Sequence, residues 1–178
     1  MEINEVIKHI LESNDMILTT HQNPDGDGIG AVLALFLGLN KLNKDKLKLV
    51  RIVTEDPVPS FLKFLPAVEV IEKVEYVAEN AKFDTIVAID VANKERIGTP
   101  LKFLKEGVKL INIDHHVSNE KYGDMNYIND KASSASEIVF ELLKVMNVEI
   151  DAMIAECLYC GLINDTGNFS YNNVGERT

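Results

Sequence analysis

Thr85-Ile86-Val87-Ala88-Ile89-Asp90 is the run on which the architecture turns. After Thr85, nothing polar interrupts it before the closing acid. A strand with one face in water alternates polar and apolar residues, so an unbroken apolar run marks a strand covered on both sides, as in a parallel sheet. Leu110-Ile111-Asn112-Ile113 has the same character and ends in Asp114. Working outward, Met16–Thr20 is a first strand, followed by Leu47–Val53, Val68–Ile71, Thr85–Asp90, Lys109–Asp114 and a weaker run at Met125–Ile128. Helical spacing appears over Asn4–Ser13, where Val6, Ile7, Ile10 and Leu11 form an apolar stripe. It returns from Asp27 or Gly28 to Asn43, near Pro59–Leu65, Glu75–Ala81 and Leu101–Lys105, and over Ser134–Met146 and Asp151–Leu162. The alternation predicts an α/β domain, with a mostly parallel sheet of about five strands flanked by helices on both faces. No repeat, low-complexity tract or Pro/Ser/Gly-rich linker divides the chain, so residues 1–178 are expected to form one domain.

The composition excludes several classes. The chain has 178 residues with 28 acids against 18 Lys and Arg, a net charge of −10, and its 46% hydrophobic and 26% charged residues are those of a globular protein rather than a disordered or fibrous one. An acidic chain without a basic tail is a poor general binder of duplex DNA, which demands Lys and Arg against the phosphates. A short phosphorylated ligand stays open, because metal ions can supply the positive charge. The N-terminal Met1–Asp15 segment carries acids early and has no long apolar core, so a cytoplasmic protein is expected. The most apolar stretch, Ile29 to Leu39, is broken by glycines and falls short of the roughly 20 residues a membrane helix needs. No membrane partner is expected. Homodimerisation is compatible with the chain, but the sequence does not name an oligomeric state.

Cys157-Leu158-Tyr159-Cys160 contains the only cysteines. Met153, Ile154, Cys157, Leu158, Gly161 and Leu162 recur at helical spacing, which favours buried thiols over a redox or zinc pair.

The ionisable residues fall at strand ends. In parallel sheets ligands bind beyond the carboxyl ends of the strands. The first strand runs into His21, Asp25 and Asp27, the fourth ends in Asp90, and the fifth in Asp114, His115 and His116, so these groups can share one edge. Asp165 joins them if the last helix returns there. Two carboxylates about 4 Å apart repel by about 4 kcal/mol at an effective dielectric near 20, a sign that divalent cations reverse. Mixed imidazoles and carboxylates suit Mn, Fe, Co or Zn better than Ca. Four carboxylates with two histidines suit a two-metal site, in which one Asp bridges ions roughly 3.5–4 Å apart, a water is activated and a phosphoryl oxygen is clamped. Each piece also has an ordinary reading. Asp25-Gly26-Asp27-Gly28 can be a simple turn, Asp90 can cap Ala92–Glu95, His115-His116 can be a surface pair, and His9 sits on an amphipathic helix as a solvated residue.

Taken together, His21-Gln22-Asn23-Pro24-Asp25-Gly26-Asp27-Gly28-Ile29-Gly30, the strand-end Asp90, Asp114-His115-His116 and Asp165-Thr166-Gly167 resemble the DHH phosphoesterase family in order and spacing over nearly the whole chain. The resemblance implies that His21, Asp25 and Asp90 hold one manganese ion, that Asp27, Asp90, His115 and Asp165 hold a second, and that Asp90 bridges them. It implies that His116 faces the scissile phosphate while Asp114 orients its neighbours from behind, and it places Asn119 and Arg96 with His116 among the substrate contacts. Asp165-Thr166-Gly167-Asn168-Phe169-Ser170-Tyr171-Asn172, Asp90-Val91-Ala92-Asn93-Lys94-Glu95-Arg96-Ile97-Gly98 and His116-Val117-Ser118-Asn119 look most like the nanoRNase branch. The implied activity is manganese-dependent hydrolysis of short oligoribonucleotides, linear or cyclic dinucleotides or phosphoadenosine phosphate. The alternatives are pyrophosphate hydrolysis and a metal-binding domain that is inactive alone. Ala31 stands where many members carry Ser. The chain stops at Gly175-Glu176-Arg177-Thr178, where the family continues into a DHH-associated C-terminal domain with basic and glycine-rich substrate contacts. That domain is expected, and absent from this chain.

Overall fold

The structure, a computed structural model, describes residues 2–43 and 48–178. Six strands, β1 (Asp15–Thr19), β2 (Leu49–Thr54), β3 (Ile71–Lys73), β4 (Thr85–Ile89), β5 (Lys109–Asp114) and β6 (Met125–Ile128), form one sheet in the order β3-β2-β1-β4-β5-β6. Every pairing is parallel. Its six strands overlap the six runs read from the sequence, and among the described residues the sheet has no antiparallel member. Chain direction reverses its progress across the sheet between β1 and β4, which opens a crevice at their carboxyl ends.

Four α-helices, α1 (Ile3–Glu12), α2 (Gly26–Leu42), α3 (Ala135–Val145) and α4 (Ala152–Asp165), cover one face. Met16, Leu18, Ile52, Val87, Ile89, Ile111 and Ile113 point towards them. The alternate residues Ile17, Val53, Ile86, Ala88 and Leu110 face the other way, under Val77, Phe83, Ile97 and Phe103. That second cover is built from short 3-10 turns. The helices expected near Pro59–Leu65, Glu75–Ala81 and Leu101–Lys105 are turns at Ser60–Leu62, Val74–Tyr76 and Thr99–Phe103, in segments broken by prolines and polar residues before an α-helix can propagate. The strand expected at Val68–Ile71 begins only at Ile71, because residues 68–70 form another such turn after Ala67, which is left-handed at φ 59°. The start expected at Leu47 lies outside the described residues.

Helix α2 is apolar nearly all round and is sandwiched between the sheet and α4, as that pattern demands. At Gly30 its backbone meets α4 directly, since a Cβ there would stand 2.3 Å from the Cys157 carbonyl oxygen. This approach brings the start of α2 alongside α4. Cys157 is fully buried and Cys160 half-buried, as the helical stripe indicated, whereas Met153 is exposed. His9 is half-buried rather than solvated, with Nε2 3.3 Å from Thr85 Oγ1. Among the described residues no helix is long and apolar enough to cross a membrane.

Candidate metal centre

Three loops and two helix ends converge at the crevice. After β1 the chain turns through His21 to Asp25, which caps α2 by accepting the amides of Asp27 at 3.0 Å and Gly28 at 3.1 Å on Oδ1. Asp27, in the first turn of α2, is fully buried. Its two oxygens accept the amides of Ala135 at 2.6 Å and Ser136 at 2.9 Å, at the N-terminus of α3. Exposed amides and the positive end of a helix dipole favour a carboxylate there. Gly161 on α4 makes room, for a Cβ would lie 2.0 Å from Ser136 Oγ and 2.6 Å from Asp27 Oδ1.

Asp90 follows β4 with φ 63°. A left-handed non-glycine residue is strained, and such strain persists where the surroundings over-determine it. Here its amide donates to the Ile113 carbonyl at 3.0 Å, and its side chain is almost wholly buried. Asp165 is the last residue of α4 rather than part of a following loop, so the helix itself delivers it.

Two triads result. His21 Nε2 lies 3.7 Å from Asp25 Oδ1 and 3.5 Å from Asp90 Oδ2. His115 Nε2 lies 3.0 Å from Asp165 Oδ2 and 3.9 Å from Asp27 Oδ2, and also 3.5 Å from Asp90 Oδ1. Asp90 therefore stands between the triads. Among the described residues, its Oδ1 and the Nε2 of His115 are buried without a well-aligned hydrogen bond, although Asp165 Oδ2 stands 3.0 Å from the latter. Buried polar atoms left unpaired are costly, and once its ring loses its proton His115 Nε2 offers a lone pair beside those of Asp90 Oδ1. The donor set and these orphaned atoms fit divalent cations.

Electrostatics agree. Burial alone would lower the His21 pKa, yet Asp25 and Asp90 outweigh it and carry it up to about 10. Burial is likewise overcome at His115, where Asp165 and Asp90 carry the ring to about 11. Burial, then Asp90 and Asp165, push Asp27 well above the usual carboxylate range. Without cations, protons take up positive charge that the carboxylates demand.

The flanking residues are organised differently. His116 is partly exposed; Nδ1 sits 2.8 Å from Asp114 Oδ1, and Nε2 has no protein partner among the described residues. Asp114 holds that ring, raising its pKa, and despite burial its own pKa is lowered by His116 and Asn119. Asn119 is turned inward: Nδ2 donates to Asp114 Oδ2 at 2.6 Å and to the Val91 carbonyl at 3.2 Å, and Oδ1 accepts the Lys121 amide at 2.7 Å. Both of its amide hydrogens are taken up within the protein, by Asp114 and the Val91 carbonyl. His21 Nδ1 is 2.8 Å from the Gln22 carbonyl, which orients Nε2 towards Asp25 and Asp90. Arg96 Nη2 lies 2.9 Å from that same Nδ1, and a ring donating to Gln22 offers the guanidinium no acceptor there.

Sequence reasoning missed the α3 amides, Gly161, and Asn112 and Tyr122 beneath the loops. Ser134 and Glu137 do carry a legible helix start, with Ser134 Oγ accepting the Glu137 amide at 3.0 Å. Nothing local pairs that start with Asp27.

The model of the DHH family, N-terminal domain, matches residues 15–162. A protein of Thermus thermophilus named bifunctional oligoribonuclease and PAP phosphatase NrnA is 35% identical over 172 residues, covering 96% of this chain and 48% of that protein. The protein of the same name from Bacillus subtilis is 32% identical over 177 residues, covering 98% of this chain and 53% of its own length. The chain spans about half the length of these curated relatives. A crystal structure of an exopolyphosphatase-related protein from Bacteroides fragilis superposes with a TM-score of 0.85 at 29% identity, covering 98% of this chain and 52% of that one. With the family model matched across the sheet and most of the crevice, the chain belongs to the DHH family.

Proposed function

We propose that this domain is the metal-binding half of a phosphoesterase that hydrolyses short nucleotides: oligoribonucleotides, phosphoadenosine phosphate, or linear or cyclic dinucleotides. The observation that carries the proposal is Asp90, held in a strained backbone between two ligand triads with an unpartnered buried oxygen. His21, Asp25 and Asp90 hold one divalent ion; Asp27, Asp90, His115 and Asp165 hold the other. Such ions, for which the mixed donors suit Mn, Fe, Co or Zn and the family resemblance implies Mn²⁺, would acidify water and neutralise phosphoryl oxygens when bound. His116 presents Nε2 to the phosphate and shares its developing charge, while Asp114 holds the ring and favours its protonated form. Asn119 fixes Asp114. Arg96, with no acceptor at His21, pairs with a phosphate at the rim. Discrimination of substrate length belongs to a DHH-associated C-terminal domain outside these 178 residues. The names of the Thermus thermophilus and Bacillus subtilis relatives support the substrate class.

The test compares release of AMP from a diadenylate with release of phosphate from pyrophosphate, in Mn²⁺, for the parent chain and Asp90→Ala. Hydrolysis of the diadenylate that is lost in the variant is expected. Cleavage of pyrophosphate alone contradicts the nucleotide reading, and an Asp90→Ala variant as active as the parent contradicts the bridging role.

A further inference from the structure

The backbone carbonyl of Val91, the residue after Asp90, is a meeting point. It accepts from Tyr122 Oη at 2.9 Å, Asn112 Nδ2 at 3.1 Å and Asn119 Nδ2 at 3.2 Å. Asn112 Nδ2 also donates to Tyr122 Oη at 2.9 Å, so each of its hydrogens has an acceptor. Asn119 uses its other hydrogen on Asp114 Oδ2. The loop after β4 and the loop after β5 are bolted together further out, where the Glu120 amide donates to the Ala92 carbonyl at 3.0 Å and Asn93 Nδ2 donates to Glu120 Oε1 at 2.6 Å.

The chemistry of this cluster is unusual for its place. Asn112 is fully buried in β5, on the same side as Leu110 and Asp114 and paired with the apolar Ala88 of β4. Burying an amide is costly unless it is hydrogen-bonded; among the described residues its Oδ1 has no partner, so this one carbonyl and this one hydroxyl, which take its two donors, are all that hold it. Asp90 needs restraint on both sides to keep its left-handed backbone. Its own amide is tied to Ile113 on one side, and the Val91 carbonyl is tied on the other.

We propose that Tyr122, acting with Asn112, is a positioning residue: its hydroxyl clamps the Val91 carbonyl and so holds Asp90 and the Asp114–His116 segment in mutual register. The functional consequence rests on the metal-centre reading of those residues; the clamp itself does not.

Tyr122→Phe removes the hydroxyl and keeps the ring. In metal-free protein, hydrogen exchange at the Asp90 and Glu120 amides is expected to accelerate about tenfold, while the Leu18 amide in β1 is unchanged. Mn²⁺ affinity is expected to fall about tenfold, at the low end for groups that orient metal ligands, with kcat reduced and KM unchanged. Unchanged exchange at both amides overturns the clamp, whether or not the chain binds metal. Accelerated exchange with unaltered Mn²⁺ affinity and kcat overturns the positioning role. A parent chain that binds no Mn²⁺ overturns the metal reading instead, and exchange alone then decides the clamp.

Discussion

Asp27 Oδ2 accepts the backbone amide of Ala135 at 2.6 Å, which joins a candidate metal ligand on α2 to the start of α3. The same carboxylate takes the Ser136 amide at 2.9 Å on its other oxygen. One side chain therefore serves both the crevice and the packing of two helices behind it. Asp27→Ala leaves two buried amides without an acceptor, and a loss of about 2 kcal/mol is expected. Asp27→Asn keeps one acceptor and should lose less. Denaturant unfolding of the metal-free variants checks this; equal stability of parent and Asp27→Ala contradicts the anchoring role.

Two glycines set how closely α4 approaches. Gly30→Ala drives a Cβ to 2.3 Å from the Cys157 carbonyl, which as backbone cannot rotate away. Gly161→Ala meets Ser136 Oγ and Asp27 Oδ1 instead, groups that can shift only by disturbing the site. Both should cost about 1–3 kcal/mol, the usual range for overpacking. Gly175→Ala, with nothing within 4 Å, should be neutral. Thermal melts of the three variants separate the cases, and a Gly30→Ala protein as stable as Gly175→Ala would refute the close crossing.

Metal binding should release protons. An ordinary imidazole competes with metal only below about pH 6, but His21 and His115 are carried to about 10 and about 11 by their carboxylates. In the metal-free protein both rings are charged at neutral pH. Because their folded values lie above the unfolded value, their contribution to stability is full below about pH 6.5 and is lost as pH climbs through 10 to 11. Metal needs each Nε2 deprotonated, so apparent affinity should rise with pH between 6.5 and 9, with about one proton released per histidine and a further contribution from the Asp27 carboxyl, which burial pushes up. Calorimetry at pH 7.5 in buffers of different ionisation enthalpy reads that number. Binding without proton release contradicts the assignment of these rings as ligands.

The thiols should be quiet. Burial, with Glu156 nearby, pushes the Cys157 thiol up to about 12, and burial also raises Cys160. Thiolates are the reactive form, so native protein at pH 8 should react slowly with a disulfide reagent and denatured protein at once. Rapid native modification of Cys157 would mean that α2 and α4 separate more easily than their packing implies.

How much of this was readable without coordinates varies by element. β4 and β5 were plain, because a continuous apolar run ending in Asp is hard to place anywhere but in a covered strand. The 3-10 turns were not, because short apolar segments such as Ser60–Leu62 show the same spacing over one turn as an α-helix. The polar run from Asn164 to Asn168 makes the last helix read as ending at Leu162, yet α4 runs on to Asp165, and Asn164 and Asn168 are exposed. The acids and histidines could be grouped by strand ends alone. The donors that hold Asp27 could not, because they are backbone amides of a distant helix and carry no side-chain signature. Nor does residue type alone tell whether Asn119 meets a substrate or, as its hydrogen bonds have it, holds Asp114. The excess of ten negative charges acquires a partial location, since Asp25, Asp27, Asp90 and Asp165 crowd one crevice.

The central claim is a centre of two divalent ions sharing Asp90. Crystals grown in Mn²⁺ and measured at the manganese absorption edge test it most directly. The account predicts two anomalous peaks roughly 3.5–4 Å apart, with an oxygen of Asp90 in the coordination shell of each. A single peak, or a pair that leaves Asp90 unligated, would contradict it.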